Sequence, residues 1–301
     1  MTLLPLLSPR YWPLWIGIGI LWSLTHLLPY RWQLAAGRQL GHITYKLARR
    51  RRRIADINLK LCFPELDETQ QQQLLRRHFE SLGMGFIEML SAWWLPDARL
   101  KHLEHIQGLE HLDTALARDQ GVILFSAHFT SQEMGTRFLT MHTAIHGAYR
   151  PHENPLIEYL MKKNRDNRAE KAIPREAVRE MLRSLKKNKA LWFATDQNFG
   201  HKNSVFAEFF GKLAATNTAV SRLAQISGAA VVPFFTQRLE NNQGYKVILQ
   251  PALEDFPTGD NRQDVLRLNQ LIEAQIRKAP AQYLWVHRRF KDRPQGEDKL
   301  Y

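Results

Sequence analysis

The chain has 301 residues, 44% of them hydrophobic, which is ample for a sizeable core and excludes a disordered chain. A net charge of +13 with pI near 10 points to an anionic partner, whether nucleic acid, an acidic lipid surface or a phosphorylated substrate. Cys62 is the sole cysteine, so an internal disulfide and a cysteine-based metal site are excluded, and a reducing, cytoplasmic setting is allowed.

From Tyr11 to Tyr30 there is no Lys, Arg, Asp or Glu, and twenty uncharged residues can just span a bilayer. Trp12, Trp15, Tyr30 and Trp32 stand near its ends like interfacial anchors, while Pro13 shortens the regular helix. No small-residue cleavage site follows, so an uncleaved anchor over residues 1–31 is predicted rather than a removed signal. Arg10 stands alone before the run, whereas Arg31, Arg38, Lys46 and Arg49 to Arg53 follow it; the positive-inside rule then places the rest in the cytoplasm. The arginine block would attract anionic lipid headgroups, and a span directly upstream argues against reading it as a nucleic-acid patch.

Between Trp32 and about Lys60 apolar residues recur at helical spacing, as one long or broken amphipathic helix. Cys62-Phe63-Pro64 ends it, and Asp67 to Trp94 reads as a second helix. From Gly108 onward short apolar runs alternate with helical segments. Strands are predicted over Gly121 to Ala127, Ile145 to Arg150, Ala190 to Ala194, Ala229 to Phe235, Tyr245 to Gln250 and Gln282 to Val286. Helices fall near Glu133 to His142, Pro155 to Arg168, Arg175 to Lys187, Thr216 to Ser227 and Arg262 to Lys278. This alternation predicts an α/β fold with a mixed, largely parallel sheet flanked by helices. With no repeat or low-complexity linker, residues 32–301 read as one globular unit, mainly helical over 32–107 and α/β over 108–301.

His128 falls at the carboxyl end of the first long strand, where open α/β sheets keep their chemistry, and Glu133 follows in the first turn of a helix. Further polar clusters stand near other strand ends. Arg150 and Asn154 lie in Tyr149 to Pro155, and Arg165 and Arg168 end the next helix; arginine makes forked, charge-assisted bonds to phosphate or carboxylate. Asp196 follows the strand Ala190 to Ala194 and reads equally well as a turn cap. Phe206 through Thr218 reads as a loop leading into a helix start with free N–H groups for an anion. Arg288 sits in the basic, aromatic-interleaved run Trp285 to Pro294.

Together these segments resemble the late acyltransferases of lipid A biosynthesis over nearly the whole chain. The resemblance rests on the anchor ending at Tyr30-Arg31, Asn58-Leu59-Lys60-Leu61-Cys62-Phe63-Pro64-Glu65, His128 with Glu133, Tyr149 to Pro155, Asp196, Ser204-Val205-Phe206 and Trp285 to Gly296. Its lauroyl-transferring members look most similar. Phe129-Thr130-Ser131-Gln132 departs from the Gly-Asn-Trp that many relatives carry before the acidic residue. The resemblance implies a glycerolipid acyltransferase-like fold and a bacterial inner-membrane enzyme of lipopolysaccharide biosynthesis. Its implied donor is an acyl carrier protein bearing a phosphopantetheine thioester, with no other cofactor and no metal. Its implied acceptor is a phosphorylated, acylated glucosamine disaccharide, the lipid A precursor; membrane lipids are further partners and nucleic acid is not.

In that frame His128 is the general base that deprotonates the acceptor hydroxyl, and Glu133 holds its imidazole in the right tautomer. Arg165 matches the family's functional arginine, for a substrate phosphate or the oxyanion, with Arg150, Asp196, Asn154, Arg168 and Arg288 as further substrate-binding candidates. Competing readings are a zinc hydrolase using His128 and Glu133, a phospholipid-making acyltransferase with the same His-acid chemistry, and a basic membrane-tethered binding protein with no transfer activity.

Overall fold

The structure is a computed structural model that describes residues 4–200 and 203–301; the first three residues of the expected anchor lie outside them. The helical region comprises α1 (Trp12–Leu27), α2 (Tyr30–Leu47), α3 (Arg49–Cys62), α4 (Glu68–Trp94) and the single turn α5 (Asp97–Leu100). The predicted helix over 32–60 is thus two helices, broken at Ala48 (φ −84°, ψ 57°). α4 begins at a capping box in which the Asp67 carboxylate accepts the Gln70 N–H (2.8 Å) and the Gln70 side chain accepts that of Asp67 (3.0 Å). It then packs on α2 at backbone contact: a Cβ on Gly83 would lie 2.1 Å from the Gly37 carbonyl oxygen.

The uncharged run is not a continuous span. Leu28, preceding Pro29, is extended (ψ 141°), as a residue before proline prefers, so α1 stops at Leu27 after 16 residues and α2 starts afresh at Tyr30. Sixteen residues rise about 24 Å against a hydrocarbon core of about 30 Å. Among the described residues no helix is long and apolar enough to cross a membrane, which corrects the expected transmembrane anchor. Counting uncharged residues passed over the proline.

The α/β part runs β1 (Glu104–Gln107), α6 (Leu109–Leu116), β2 (Val122–Ser126), α7 (Gln132–Leu139), β3 (Ile145–Tyr149), α8 (Pro155–Arg168), β4 (Lys171–Pro174), α9 (Val178–Lys186) and β5 (Ala190–Ala194). The hairpin β6 (Ser204–Phe209) and β7 (Lys212–Asn217) follows, then α10 (Ala219–Ser227), β8 (Ala230–Arg238), β9 (Tyr245–Leu249) and α11 (Asn261–Lys278). Seven strands form one sheet in the order β1-β9-β8-β2-β5-β3-β4, parallel throughout except that β8 and β9 pair antiparallel. The fold is therefore α/β with a mixed, largely parallel sheet. β2 lies at its centre and is buried along its whole length. Its side chains alternate between two cores: Ile123 and Phe125 pack with α3, α4, α9, α10 and α11, and Val122 and Leu124 pack with α6, α7 and the end of α4.

Two predicted elements change. Phe206 through Thr218 is the β6–β7 hairpin, and the helix expected from Thr216 starts at Ala219, whose N–H is already taken by the Asn217 side chain (2.7 Å). Gln282 to Val286 joins no sheet; it straps across the loop after β2 instead, through an isolated Phe129–Tyr283 bridge.

Candidate active site

β2 and β5 are adjacent and parallel, with Ser126 opposite Ala194. Both strands end there, and two residues further on each contributes a polar side chain, His128 from one and Asp196 from the other. Register alone therefore brings them together. His128 Nδ1 lies 2.7 Å from Asp196 Oδ1, and the His128 backbone N–H donates to Asp196 Oδ2 at 3.0 Å, so one buried carboxylate holds both the ring and the chain that carries it. The C-terminal strap fixes the same loop: the Leu284 N–H donates to the His128 carbonyl (3.0 Å) and the Thr130 N–H to the Gln282 carbonyl (2.8 Å).

Burial alone would raise the Asp196 pKa, yet the facing His128, its two hydrogen bonds and the buried Arg289 hold it down at about 2. Asp196 is thus ionised at neutral pH and accepts, which makes Nδ1–H the donor and leaves the Nε2 lone pair of His128 free. For His128, burial acts to lower the pKa, but the charge of Asp196 and its hydrogen bond outweigh it, against a smaller opposing effect of Arg165, so the result is raised. The ring stays a quarter exposed and meets the edge of Trp192 in a T-shaped contact (centroids 6.3 Å). A held tautomer, a free Nε2 and a raised pKa are what a general base requires.

The expected hydrogen bond from the His128 ring to Glu133 is not formed. Glu133, on the first turn of α7, accepts from Arg165 Nη2 at Oε1 (2.5 Å) and from the Trp93 indole N–H at Oε2 (3.0 Å). Spacing in sequence favoured Glu133 as the ring's partner, whereas strand register gives that place to Asp196. Arg165, from the last turn of α8, also lies over the Tyr149 ring (5.7 Å). Trp93, buried in the core at the end of α4, also supplies the indole donor that fixes Glu133.

The other candidates separate. Asn154 caps α8, its side-chain oxygen accepting from Leu156 N–H (3.0 Å) and Ile157 N–H (3.3 Å), first-turn donors that have no partner within the helix, while Pro155 at its start has no N–H to satisfy. Arg168 turns away and donates to the Trp93 and Leu95 carbonyls (both 3.1 Å), tying α8 to the end of α4. Arg288 lies over Tyr301 and lines a different cleft. Arg150 is largely exposed at the mouth of the site. Hence Asp196 contacts His128, the side chains of Asn154 and Arg168 bond backbone groups of the fold, and Arg150 and Arg165 line the clefts beside His128. Among the described residues no group of three His, Cys, Asp or Glu is arranged to hold a metal ion.

His128 stands where two clefts meet, with Tyr149, Arg150 and Trp192 shared between them. One, of about 250 Å³, runs between β5, α9 and α10 and is walled by Val178, Met181, Phe199, Leu223 and Ile226. The other, of about 200 Å³, holds Gln132, Glu133, Arg165 and Lys171 above the small residues Gly147, Ala148 and Ala172. The pair thus opens onto two mainly apolar clefts that arginines also reach, Arg175 and Arg222 in the first and the Glu133–Arg165 pair with Lys171 in the second.

Residues 4–292 match the family model described as bacterial lipid A biosynthesis acyltransferase. The chain belongs to that family. Over 307 residues it is 38% identical to the lipid A biosynthesis lauroyltransferase of Escherichia coli K12, covering the whole of both chains. It is also 38% identical over 296 residues to the lipid A biosynthesis palmitoleoyltransferase of the same organism, with 98% of this chain and 96% of the relative covered. A lipid A biosynthesis myristoyltransferase of that strain is 24% identical over 295 residues, with 97% and 91% covered. As a lipid A biosynthesis acyltransferase, the chain has an acyl-transfer site to account for, and the His128–Asp196 pair between two clefts is a candidate among the described residues.

Proposed function

We propose that this acyltransferase moves a fatty acyl group, lauroyl by resemblance, from the phosphopantetheine thioester of acyl carrier protein to a hydroxyl of the lipid A precursor. The observation that supports this reading best is the oriented His128 imidazole at the junction of two clefts, one walled by Val178, Met181, Leu223 and Ile226 and the other bearing the Glu133–Arg165 pair. The acyl chain lies in the trough of Val178, Met181, Leu223 and Ile226, and the hydroxyl approaches on the Glu133–Arg165 side. Nε2 takes the hydroxyl proton as the oxygen attacks the thioester carbonyl. The tetrahedral oxyanion collapses, the carbon–sulfur bond breaks, and the proton held on Nε2 passes to the departing thiolate. No acyl-enzyme forms, because the acceptor is the nucleophile. Asp196 keeps the tautomer and stabilises the imidazolium, while Glu133 and Trp93 fix Arg165, which stabilises the oxyanion.

The two K12 relatives named for different acyl groups are equally identical to this chain, so acyl preference is a matter for experiment. With a panel of acyl carrier protein thioesters and a tetra-acylated disaccharide acceptor, mass spectrometry should show one added lauroyl group. Transfer only to glycerol phosphates would favour the phospholipid-making alternative, and no transfer to either acceptor would defeat the reading altogether. Arg165→Gln should lower kcat by roughly 10²–10³-fold with KM for the acceptor little changed. A raised KM with normal kcat would instead make Arg165 a phosphate ligand.

We further propose that the protein works at the cytoplasmic face of a bacterial inner membrane, seated through α1 rather than spanning. Trp12, Ile16, Ile20, Trp22 and Leu27 are half or more exposed, an unusual apolar surface followed closely by the Arg49 to Arg53 block. Near the amino end of the helix, Leu14, Trp15 and Ile18 pack toward α8, the helix that carries Arg165, so a membrane at α1 is near the cleft that holds Arg165. An Ile16→Asp/Ile20→Asp variant should co-sediment with anionic vesicles at least tenfold less at physiological salt, since each change removes about 1.5–3 kcal/mol of apolar burial. Undiminished binding would sink this seating.

A further inference from the structure

Two basic stretches far apart in sequence, the arginine block at Arg49 to Arg53 and the run Trp285 to Arg293, meet in the folded chain. Arg50 and Arg51 on the first turn of α3, with Arg288 and Lys291, line a cleft of about 360 Å³ closed by Ile54, Asn198 and His287. None of the four cations is ion-paired with a carboxylate among the described residues: Arg51 donates to the Val286 carbonyl (3.2 Å) and Arg288 lies over Tyr301. The carboxylate nearest in the chain, Asp292, is held by the Asn198 amide (2.6 Å). Four cations lining one concavity outnumber that single neighbouring carboxylate, so they repel one another and a bound anion relieves the repulsion.

The start of α3 adds a second reason. Its cap position is Ala48, which has no side-chain oxygen to offer, and its first turn carries no acidic residue. The positive end of the helix dipole therefore coincides with a run of arginines, an arrangement unfavourable by itself and favourable once an anion is bound.

The cleft is also joined to the reacting pair. Asn198 follows Asp196 by two residues, and its backbone N–H donates to His287 Nε2 (3.0 Å). Burial keeps His287 neutral, with a pKa near 4, so its Nε2 accepts rather than competing for an anion, and it lies within electrostatic reach of both His128 and Asp196.

We propose that this cleft is a phosphate subsite, in which Arg50, Arg288 and Lys291 bind a phosphate group of one of the two substrates while its reacting end lies at His128. This rests on the acyl-transfer reading for which substrate is held, though not for whether phosphate binds. The chemistry is the same for the phosphodiester of the donor's pantetheine arm and for a phosphate of the disaccharide acceptor, and the test separates them.

Inorganic phosphate titrated against the full-length protein and followed by phosphorus NMR should broaden saturably. In an Arg50→Ala/Arg288→Ala/Lys291→Ala variant, with folding checked by circular dichroism, the broadening should disappear; an unchanged titration overturns the proposal. Single Arg288→Lys, which keeps the charge, should retain binding. In the transfer assay the triple variant should raise KM roughly tenfold or more for one substrate, with kcat near wild type. A rise for acyl carrier protein assigns the donor phosphate. A rise for the acceptor, absent with an acceptor lacking that phosphate, assigns the disaccharide. Unchanged KM for both, with weakened binding to anionic vesicles, makes the cleft a headgroup contact and overturns the subsite. If the wild-type protein transfers no acyl group at all, the phosphate titration still decides whether the site exists.

Discussion

His128→Ala is expected to fold and to lose acyl transfer almost completely. General-base assistance contributes about 10²–10⁴-fold, and the residue's ring is the only free base lone pair placed between the two clefts among the described residues. Folding should survive because the backbone N–H of residue 128 still serves Asp196 and the Leu284 N–H still serves its carbonyl. The buried carboxylate does lose one partner, which costs about 1–3 kcal/mol and lowers Tm by several degrees. His128→Asn offers Asp196 a replacement amide donor and should recover much of that stability without recovering turnover. Near-normal turnover in either folded variant would remove His128 from the mechanism.

Asp196→Asn should be nearly as severe, and its effect has a distinctive pH signature. In the wild-type protein the His128 pKa is raised, so kcat/KM should climb with pH along a limb centred above 6.5, as the imidazolium loses its proton. Removing the Asp196 charge leaves burial and Arg165, both of which lower the His128 pKa, and the limb should move below 6.5. Turnover should still fall by roughly 10³–10⁴-fold, because an amide no longer enforces the Nδ1–H tautomer. A pH limb that stays in place, or a mild loss of rate, would assign the orienting role elsewhere, with Glu133→Gln the next variant to measure.

The same pair bears on stability, with opposite signs at the two ends of the scale. The carboxylate's pKa is depressed to about 2 from 3.8, so its contribution is complete above 3.8 and is lost as pH falls toward 2. The imidazole's pKa is raised, so its contribution is complete below 6.5 and fades as pH rises through the folded value. Because the two shifts describe one interaction, the Asp196→Asn variant should lose most relative stability between about pH 4 and 6.

The sequence pattern carries the sheet's centre well. Val122 to Phe125 and Ala190 to Ala194 are apolar runs long enough to announce buried strands, and Pro155 marks the start of α8. Short edge strands escape it: β1 and β4 have four residues each and are partly exposed, so neither leaves an apolar run. The β6–β7 hairpin turns at Phe210 and Gly211, both with positive φ (49° and 68°), as a two-residue hairpin turn requires, but phenylalanine carries none of the usual Asn-Gly signal. The partner of His128 was illegible for a different reason. Asp196 becomes its neighbour only because β5 lies beside β2, and that order is set by the packing of the whole sheet rather than by any local segment. Glu133, five residues away in sequence, was the visible choice and belongs to Arg165 instead.

The C-terminal strap has a consequence for the order of events during synthesis. The Asn58 amide is satisfied by the carbonyls of Trp285 and His287, 227 and 229 residues later, and the His128 carbonyl by the N–H of Leu284. At about 5–20 residues per second, the ribosome finishes α3 roughly 10–50 s before making the segment that secures it. Through that interval the nascent chain has its most apolar helix exposed, and once made the His128 loop has the Asp196 carboxylate but lacks the strap's two backbone bonds. Nonsense truncations before about residue 290 should accordingly leave inactive, aggregation-prone chains rather than impaired enzymes.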